Sequence, residues 1–441
     1  MNKFALLLVA APTVVVAQKP TFVGPPVRPL GAIEAASRET FGPQVTIRHT
    51  PSGVLVNDVA HRRVLHLDPT LGDFTVVADT TPATANAYSG RFASLIAYKG
   101  DLSLFVDAQS QSMLVIDGDG KVARVMALPR SRDAMVLGTA IGNAGLDAQG
   151  RLVYRAMPNM QFRMMGGGPG NAMQPPEVPD TAPIVRVDIA SRATDTIGYI
   201  KTPRPKIDFQ RDEGTGRISI STIVNPLPTV DEMVVTSEGS VAIVRGRDYH
   251  VDWIRPDGSM ESSPKMPHNW ERMTEEEKVV FLDSLKAARE RLLASQPPQQ
   301  VASSGSTTTT QGPNGTTRQQ TTIVMGGAGV AMGGGGGGGP MGMGNANVSF
   351  VPANELPDYK PPFFNGSIRA DADGNIWVAT IPTRAFPAGG PVYDVVNGKG
   401  ELVDRVQVPA NRTVVGFGAG GIVYLVHRDG NTTTLERAKV K

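Results

Sequence analysis

Six segments of the chain share one pattern, in which a glycine is followed by a run of alternating apolar and polar residues. In the complete copies a second alternating run follows and ends at another turn, often an Asp-Gly or Asn-Gly pair. Alternation with a period of two is typical of β-strands, and these turn pairs accept the positive φ that hairpins require. The six predicted hairpins begin at Gly53, Gly100, Gly150, Gly239, Gly374 and Gly421.

The spacing of these copies predicts the fold. The first three glycines and the last two follow one another at intervals of roughly 50 residues, a period typical of propeller blades. The two longer intervals, on either side of Gly239, fit one period plus inserted material. We therefore predict an all-β fold, a six-bladed β-propeller of four-stranded blades. A split β-sandwich or two smaller β domains is the alternative, and the equal spacing at both ends of the chain argues against it.

The last copy supplies only three strands before Lys441. We expect residues 28–37, RPLGAIEAAS, to pair with that blade as its fourth strand, which would close the ring and remove two exposed sheet edges. The propeller is thus predicted to cover residues 28–441, preceded by a linker at residues 18–27.

The longest insertion, residues 260–359, is predicted to separate blades 4 and 5. It opens with an amphipathic helix at 274–294, for which Thr274 and Glu277 form a capping box. One face of this helix carries Phe281, Leu285, Ala288 and Leu292. We expect this face to pack on the side of the propeller, and binding of a partner is the alternative.

A glycine-rich tract follows the helix, at residues 296–347. Arg318 is its only charged residue, and seven consecutive glycines lie within it. Because it lacks the apolar residues that would offset chain entropy, we predict that it is disordered.

A shorter insertion, residues 157–180, extends the third blade. Thioethers select Cu(I), but no His or Asp framework surrounds these side chains, so we interpret the segment as a flexible hairpin and expect no cofactor. Its methionines are Met157, Met160, Met164, Met165 and Met173.

The N-terminal segment MNKFALLLVAAPTVVVAQ has a basic residue, an apolar core and small residues at a cleavage site. This pattern predicts a secretory signal peptide at residues 1–17, cleaved between Ala17 and Gln18. The chain contains no Cys, which excludes disulfides and lipid anchoring through Cys. No later run reaches the roughly 18 apolar residues that a membrane helix needs. We expect a monomer located in the periplasm or outside the cell, without a membrane span.

Three stretches carry a resemblance to known propeller families. LVNDVAHRRVLHLD (55–68) resembles the NHL-type repeat, and LFVDAQSQSMLVIDGDGKV (104–122) has the same layout with Gln-Ser in place of His-Arg. EGSVAIVRGRDYHVDWIRPDG (238–258) is similar to a late blade of exported bacterial propellers grouped as TolB-like. The resemblance implies a six-bladed propeller and leaves the function open, since propellers include enzymes, receptors and scaffolds.

The polar residues of the first copy raise the question of a metal or catalytic site. Propeller hydrolases that resemble gluconolactonase hold Ca²⁺ in the central channel with Glu, Asn and Asp ligands at strand ends. The corresponding candidates here are Asn57, Asp58 and Asp107. The other copies offer Arg155, Arg245, Thr380 and His427, which would make a poor cage. We interpret His61 and His66 as structural residues, because they are separated by a predicted turn.

The remaining features favour binding over catalysis. There is no nucleophile elbow and no phosphate-binding loop, so no catalytic, cofactor or metal residues are assigned. A net charge of +2, with no run of Lys and Arg longer than two, excludes a nucleic-acid partner. We predict a binding or scaffold module for a protein, peptide or glycan. The alternatives are a Ca²⁺-dependent, lactonase-like hydrolase that uses the central channel and a structural protein of the envelope.

Overall fold

The computed structural model describes most of the propeller. The described residues are 24–81, 88–90, 92–138, 143–157, 179–204, 206–211, 218–295, 305–311, 317–323, 348–382, 389–430 and 432–440. The predicted cleavage site at Ala17 and Gln18 and the insertion methionines after Met157 lie outside them.

Six antiparallel sheets confirm the predicted six-bladed β-propeller, and each blade runs from an inner strand at the axis to an outer strand. Two strands, β1 (Val27–Pro29) and β2 (Ile33–Ala36), precede the first blade. Blade 1 is β3 (Val45–Thr50), β4 (Gly53–Asp58), β5 (Arg63–Leu67) and β6 (Phe74–Ala78). Blade 2 is β7 (Ala93–Ala97), β8 (Ser103–Asp107), β9 (Ser112–Ile116) and β10 (Val122–Ala127). A 3₁₀ turn (Ser131–Asp133) and α1 (Ala134–Leu137) lead to blade 3, which is β11 (Gly145–Leu146), β12 (Leu152–Arg155), β13 (Thr181–Val187) and β14 (Thr194–Lys201).

The second half of the ring contains the large insertion. An inserted pair, β15 (Lys206–Arg211) and β16 (Ile218–Val224), precedes blade 4, which is β17 (Asp231–Val235), β18 (Val241–Arg245), β19 (His250–Ile254) and β20 (Met260–Ser262). The insertion holds α2 (Glu275–Ser295), the hairpin β21 (Gly305–Gln311) and β22 (Thr317–Ile323), β23 (Val348–Phe350) and a 3₁₀ turn (Ala353–Glu355). Blade 5 is β24 (Phe363–Ala370), β25 (Ile376–Thr380), β26 (Val392–Val396) and β27 (Leu402–Gln407). Blade 6 contains β28 (Arg412–Gly418), β29 (Ile422–Asp429) and β30 (Thr432–Lys439).

The N-terminal segment contributes to two blades. Strand β2 pairs antiparallel with β30 as the fourth strand of blade 6, with Ile33 opposite Ala438. Strand β1 instead adds a fifth, parallel strand to blade 5, where Arg28 forms an ion pair with Asp404. The residues expected to form one spare strand therefore cover the outer edges of two neighbouring blades.

One five-residue turn recurs at six places in the described residues. Its first residue donates its N–H to the carbonyl of the fifth, and the fourth, a glycine, donates back to the carbonyl of the first. The glycines have φ between 77° and 87°, a region that other residues rarely adopt. The turns are Asp117–Lys121, Asp147–Arg151, Thr236–Ser240, Arg255–Ser259, Asp371–Asn375 and Asn397–Glu401.

The insertion helix α2 is fixed to the propeller by its first half. The predicted capping box is present, since Thr274 and Glu277 exchange backbone-to-side-chain hydrogen bonds of 2.8 and 3.2 Å. Leu282 is buried against the β23 segment, and Phe281 packs toward the core beside blade 5. Ala288, expected on this face, is exposed, because the residue of α2 that is buried against the β23 segment is Leu282.

Two segments of the predicted disordered tract are described, and they form the hairpin of β21 and β22. The rest of residues 296–347 lies outside the described residues. Within the part of the chain that the structure describes, no helix is both long and apolar enough to cross a membrane.

The turn glycines allow a matched test of stability. Gly239 and Gly258 occupy the same position of the recurring turn, and both have φ of +87°. A Cβ at Gly258 would meet nothing within 4 Å, whereas one at Gly239 would lie against the backbone nitrogen of Ala148 in the adjacent blade. We expect Gly258→Ala to cost about 1–2 kcal/mol, from backbone strain alone. Gly239→Ala should cost about 3 kcal/mol or more, from strain plus the clash. Urea unfolding measures both, and equal costs would contradict the close packing of these turns.

Candidate functional site

The two faces of the propeller differ in their connections. On one face, here called the turn face, the inner strands end, and the longest connections are residues 68–73 and 188–193. On the opposite face, here called the loop face, the second strand of every blade ends and the next inner strand begins. All of the long connections start and finish on the loop face, including residues 79–92, 156–180, 202–230 and 263–362. Topology thus concentrates the inserted material on a single face.

Asp58, at the end of β4, holds together the loop-face edge of blade 1. Its fully buried carboxylate accepts hydrogen bonds from the backbone N–H of Gly42 at 3.1 Å and from Arg63 Nε at 3.2 Å. The same carboxylate lies 2.6 Å from His61 Nδ1. Both oxygens are therefore occupied by protein donors.

Asn57 and Asp107 are engaged in the same way. The Asn57 side chain donates to the carbonyl of Ala93 at 2.9 Å and accepts from the Tyr88 hydroxyl at 2.7 Å, which ties blade 1 to blade 2. The Asp107 carboxylate accepts from the backbone N–H and the hydroxyl of Ser89 at 2.8 and 2.5 Å. These contacts leave the candidate oxygens poorly suited to a calcium cage. In the described residues no group of three or more His, Asp or Glu is placed to hold a metal ion.

The other strand ends also have partners within the fold. Arg245 bridges Asp231 at 2.8 Å and Asp252 at 2.7 Å. The His427 Nδ1 atom lies 3.4 Å from Glu436, and Thr380 donates to the carbonyl of Val392 at 3.1 Å. The ring of second-strand ends is therefore a set of blade-stabilising contacts.

The two histidines of the opening repeat are far apart in role and in place. His61 lies on the loop face beside Asp58. His66 lies at the other end of β5, where its Nε2 is 3.2 Å from Thr50 Oγ1, and burial lowers its pKa. The two histidines therefore do not share a site.

A cavity of about 220 Å³ occupies the central channel. Its lining runs from Thr46 and Ser94, near the starts of β3 and β7, to Val235 and Ala370, where β17 and β24 end. Most of the wall is aliphatic, and Phe417 and His49 contribute aromatic rings. The polar side chains of the lining are Thr46, Arg48, His49, Ser94, Asn143 and Arg369.

Two guanidinium groups in this lining have no carboxylate within 4 Å among the described residues. Arg369 has one hydrogen bond, from Nη1 to Asn143 Oδ1 at 3.1 Å. The buried Nε of Arg48 has no hydrogen-bond partner. Burial lowers the pKa of both groups, but the guanidinium group is so strongly basic that both remain charged at neutral pH.

A third buried arginine, Arg155, lies outside the lining beside the carboxylate of Glu232, at 3.9 Å. Burial raises the pKa of Glu232, whose carboxylate has no solvent exposure. Asn365 accepts a hydrogen bond from Arg155 at 3.2 Å. Arg155 is thus the ion-pair partner of Glu232, and the same carboxylate acts on Arg369 only from beyond ion-pair distance.

Sequence reasoning did not identify the channel residues. Arg48 and Arg369 lie in inner strands, in the stretches VTIRHT and SIRA, where each is one polar position in an alternating pattern. Alternation shows that such a residue is on one side of its strand. One sequence feature does point to these residues, since two of the predicted inner strands each carry an arginine near the strand end.

Comparison with known proteins gives matches only among solved structures. No protein-family model matches the chain, and no curated protein matches it. A virginiamycin B lyase from Staphylococcus aureus has 10% identity, covers 93% of this chain and 99% of its own, and has a TM-score of 0.37. A calcium-binding protein, regucalcin, from Agrobacterium tumefaciens has 13% identity, 95% coverage of each chain and a TM-score of 0.34. A Bacteroides fragilis protein described as exported has 9% identity, coverage of 96% and 95%, and a TM-score of 0.38. Similarities of this size carry no inference about ligand or activity, and the NHL- or TolB-like type remains a prediction.

The contacts of Asp58 lead to a test of its role. Asp58→Ala leaves the buried N–H of Gly42 without an acceptor, so we expect a loss of about 2 kcal/mol in unfolding free energy. The exposed acid Asp119, replaced in the same way, should change stability by less than about 0.5 kcal/mol. EDTA should leave the melting temperature of the unaltered protein unchanged. A melting temperature that falls with EDTA in the unaltered protein, but not in Asp58→Ala, would instead indicate a bound cation.

Proposed function

We propose that this chain is an exported binding module that recognises a protein, peptide or glycan partner through its loop face. The observation that carries the proposal is the asymmetry of the two faces. Short turns of one repeated design cover the turn face, while every long connection opens on the loop face. Loops of variable sequence on a rigid scaffold are the usual location of recognition surfaces.

Aromatic side chains on the loop-face insertion support this assignment. Trp270 is 40% exposed and packs edge-on against His268, with ring centroids 4.9 Å apart. The adjacent segment carries Tyr359, 49% exposed, opposite Arg272 in a short antiparallel bridge. Exposed aromatic rings held on a rigid backbone provide contact area at a small entropic cost, and both glycans and peptides pack on such rings.

Export is the second part of the proposal, and it rests on the N-terminal sequence. The basic residue, apolar core and small residues before Gln18 form the pattern of a cleaved signal peptide. The Cys-free composition agrees with it, because the fold relies on packed blades and needs no particular redox environment.

A calcium-dependent hydrolase remains the alternative function, and the contacts favour binding over it. The oxygen atoms of Asn57, Asp58 and Asp107 already accept hydrogen bonds that connect strands and blades. A cation at these positions would have to break those bonds. The candidate ligands are therefore better explained as structural residues.

Site-specific photo-crosslinking in the producing cell tests the proposal. A photoreactive phenylalanine would replace Trp270 or Arg247 on the loop face, and Asp119 or Lys399 on the turn face as matched controls, all four being exposed. We expect one adduct, identical by mass spectrometry, from both loop-face positions and none from the controls. Adducts from the turn face alone, or from no position, would contradict the assignment. Fractionation of the same cells checks export: protein that keeps residues 1–17 inside the cell would contradict it.

A further inference from the structure

Two half-buried guanidinium groups in the central cavity have no carboxylate in contact among the described residues. Arginines at several blade ends do contact a buried carboxylate, as in Asp394 with Arg405 at 3.0 Å and Glu436 with Arg412 at 2.6 Å. In the cavity the guanidinium groups of Arg48 and Arg369 have no such partner. The acids that act on these groups lie beyond ion-pair distance: Asp101 on the turn face acts on Arg48, and Glu232, which pairs with Arg155, acts on Arg369.

Uncompensated charges of this kind reduce the stability of a fold. A buried charge without a partner loses hydration that nothing in the protein replaces. Arg369 nevertheless is held in place, because Asn143 accepts its hydrogen bond and itself donates to the carbonyl of Ile368 at 2.6 Å. Asn143 has a φ of +39°, a strained conformation for a residue other than glycine. The chain thus fixes the position of a guanidinium group that has no ion-pair partner, an arrangement that suits the binding of an anionic ligand.

We infer that the central channel binds a small organic carboxylate, whose charged group pairs with Arg369 and Arg48 and whose apolar body lies against the aliphatic wall. The apolar wall of the cavity favours a ligand that carries hydrocarbon as well as charge. The half-buried side chains of Ile47, Leu95 and Val235 line the same cavity as the guanidinium groups. A free phosphate or sulfate would leave that surface in contact with water, whereas an acid with a short hydrocarbon body covers it. The volume of about 220 Å³ is smaller than that of most drug-sized pockets and suits a ligand of a few carbon atoms.

This site is separate from the recognition surface proposed above, because the cavity lies along the inner strands and its lining extends to their turn-face ends. The two proposals can therefore fail independently. Crosslinking at Trp270 reports on the loop face alone.

Calorimetric titration and thermal melting with defined probes test the inference. The probes are benzoate and hexanoate, each an acid with an apolar body, and inorganic phosphate and sulfate as oxyanions without one. Benzyl alcohol provides the apolar body without the charge, and all are used in a low-chloride buffer at one ionic strength. We expect the two carboxylates to bind and raise the melting temperature, and the other probes to bind at least about tenfold more weakly, because a charge-assisted pair with arginine is lost or the wall stays uncovered.

Two variants separate binding from folding. Arg369→Gln should weaken carboxylate binding by roughly tenfold or more, while the ligand-free protein melts at the same or a higher temperature, because an unpaired buried charge is removed. The control Arg124→Gln removes an exposed arginine of β10 and should leave binding unchanged. Ala97→Trp, at an exposed position of the lining, should abolish binding by filling the channel without burying a new group in the core.

Four results would overturn the inference. The first is no binding of either carboxylate at millimolar concentration. The second is equal carboxylate binding by Arg369→Gln and the unaltered protein. The third is a lower melting temperature for ligand-free Arg369→Gln with unchanged carboxylate affinity, which would make Arg369 a structural residue. Phosphate or sulfate binding as tightly as the carboxylates would overturn the assignment of an organic acid.

Discussion

The pairing of β2 with β30 is the contact on which the rest of the propeller depends. It joins residues from the two ends of the described chain, with the hydroxyl of Ser37 accepting from the N–H of Leu435 at 2.9 Å. Without it, blade 6 would lack its outer strand and the link from blade 6 to blade 1 would be lost. Because the inner strands lie side by side around the axis, the width of the channel and the positions of its arginines follow from that closure.

Charge is distributed in this fold according to how far a residue lies from the axis. At the loop-face ends of the second strands, acids and arginines neutralise one another within or between blades, as Asp58 does with Arg63. Along the axis, Glu232 matches Arg155, and two further guanidinium groups have only neutral neighbours within hydrogen-bond distance. The first set explains how blades without disulfides are held together. The second set places an attraction for anions in the only space where all six blades meet.

The sequence predicts the repeated parts of this fold well because they depend on local rules. A glycine with positive φ lies at the turn that leads into the second strand of each blade, as at Gly100, Gly239 and Gly421, so the blades can be located from glycine spacing and alternation alone. The parallel pairing of β1 with β27 follows no local rule, since it depends on which edge remains open once the ring has closed. In the same way, α2 buries Leu282 rather than Ala288, because the support beneath the helix comes from distant segments that sequence periodicity does not report. The residues of the candidate site are hard to predict for the same reason. The partners of Asp58 and Arg369 come from segments distant in the sequence, so the strand pattern does not show whether either side chain meets a group of opposite charge.

The closing strand also has a consequence for the order in which the molecule can be completed. Ser37 and Leu435, which share a hydrogen bond in the finished ring, are 398 positions apart in the chain. For the export proposed above, a chain threaded through a pore from its N-terminus presents β2 before its partner, which follows 398 positions later. Local hairpins such as those of blades 2 and 4 can form on the way, but the long-range pairing of β2 with β30 has to wait until β30 has crossed. During that interval β2 stays unpaired and the side of blade 1 that packs on blade 6 stays uncovered, so the ring remains open until this pairing forms.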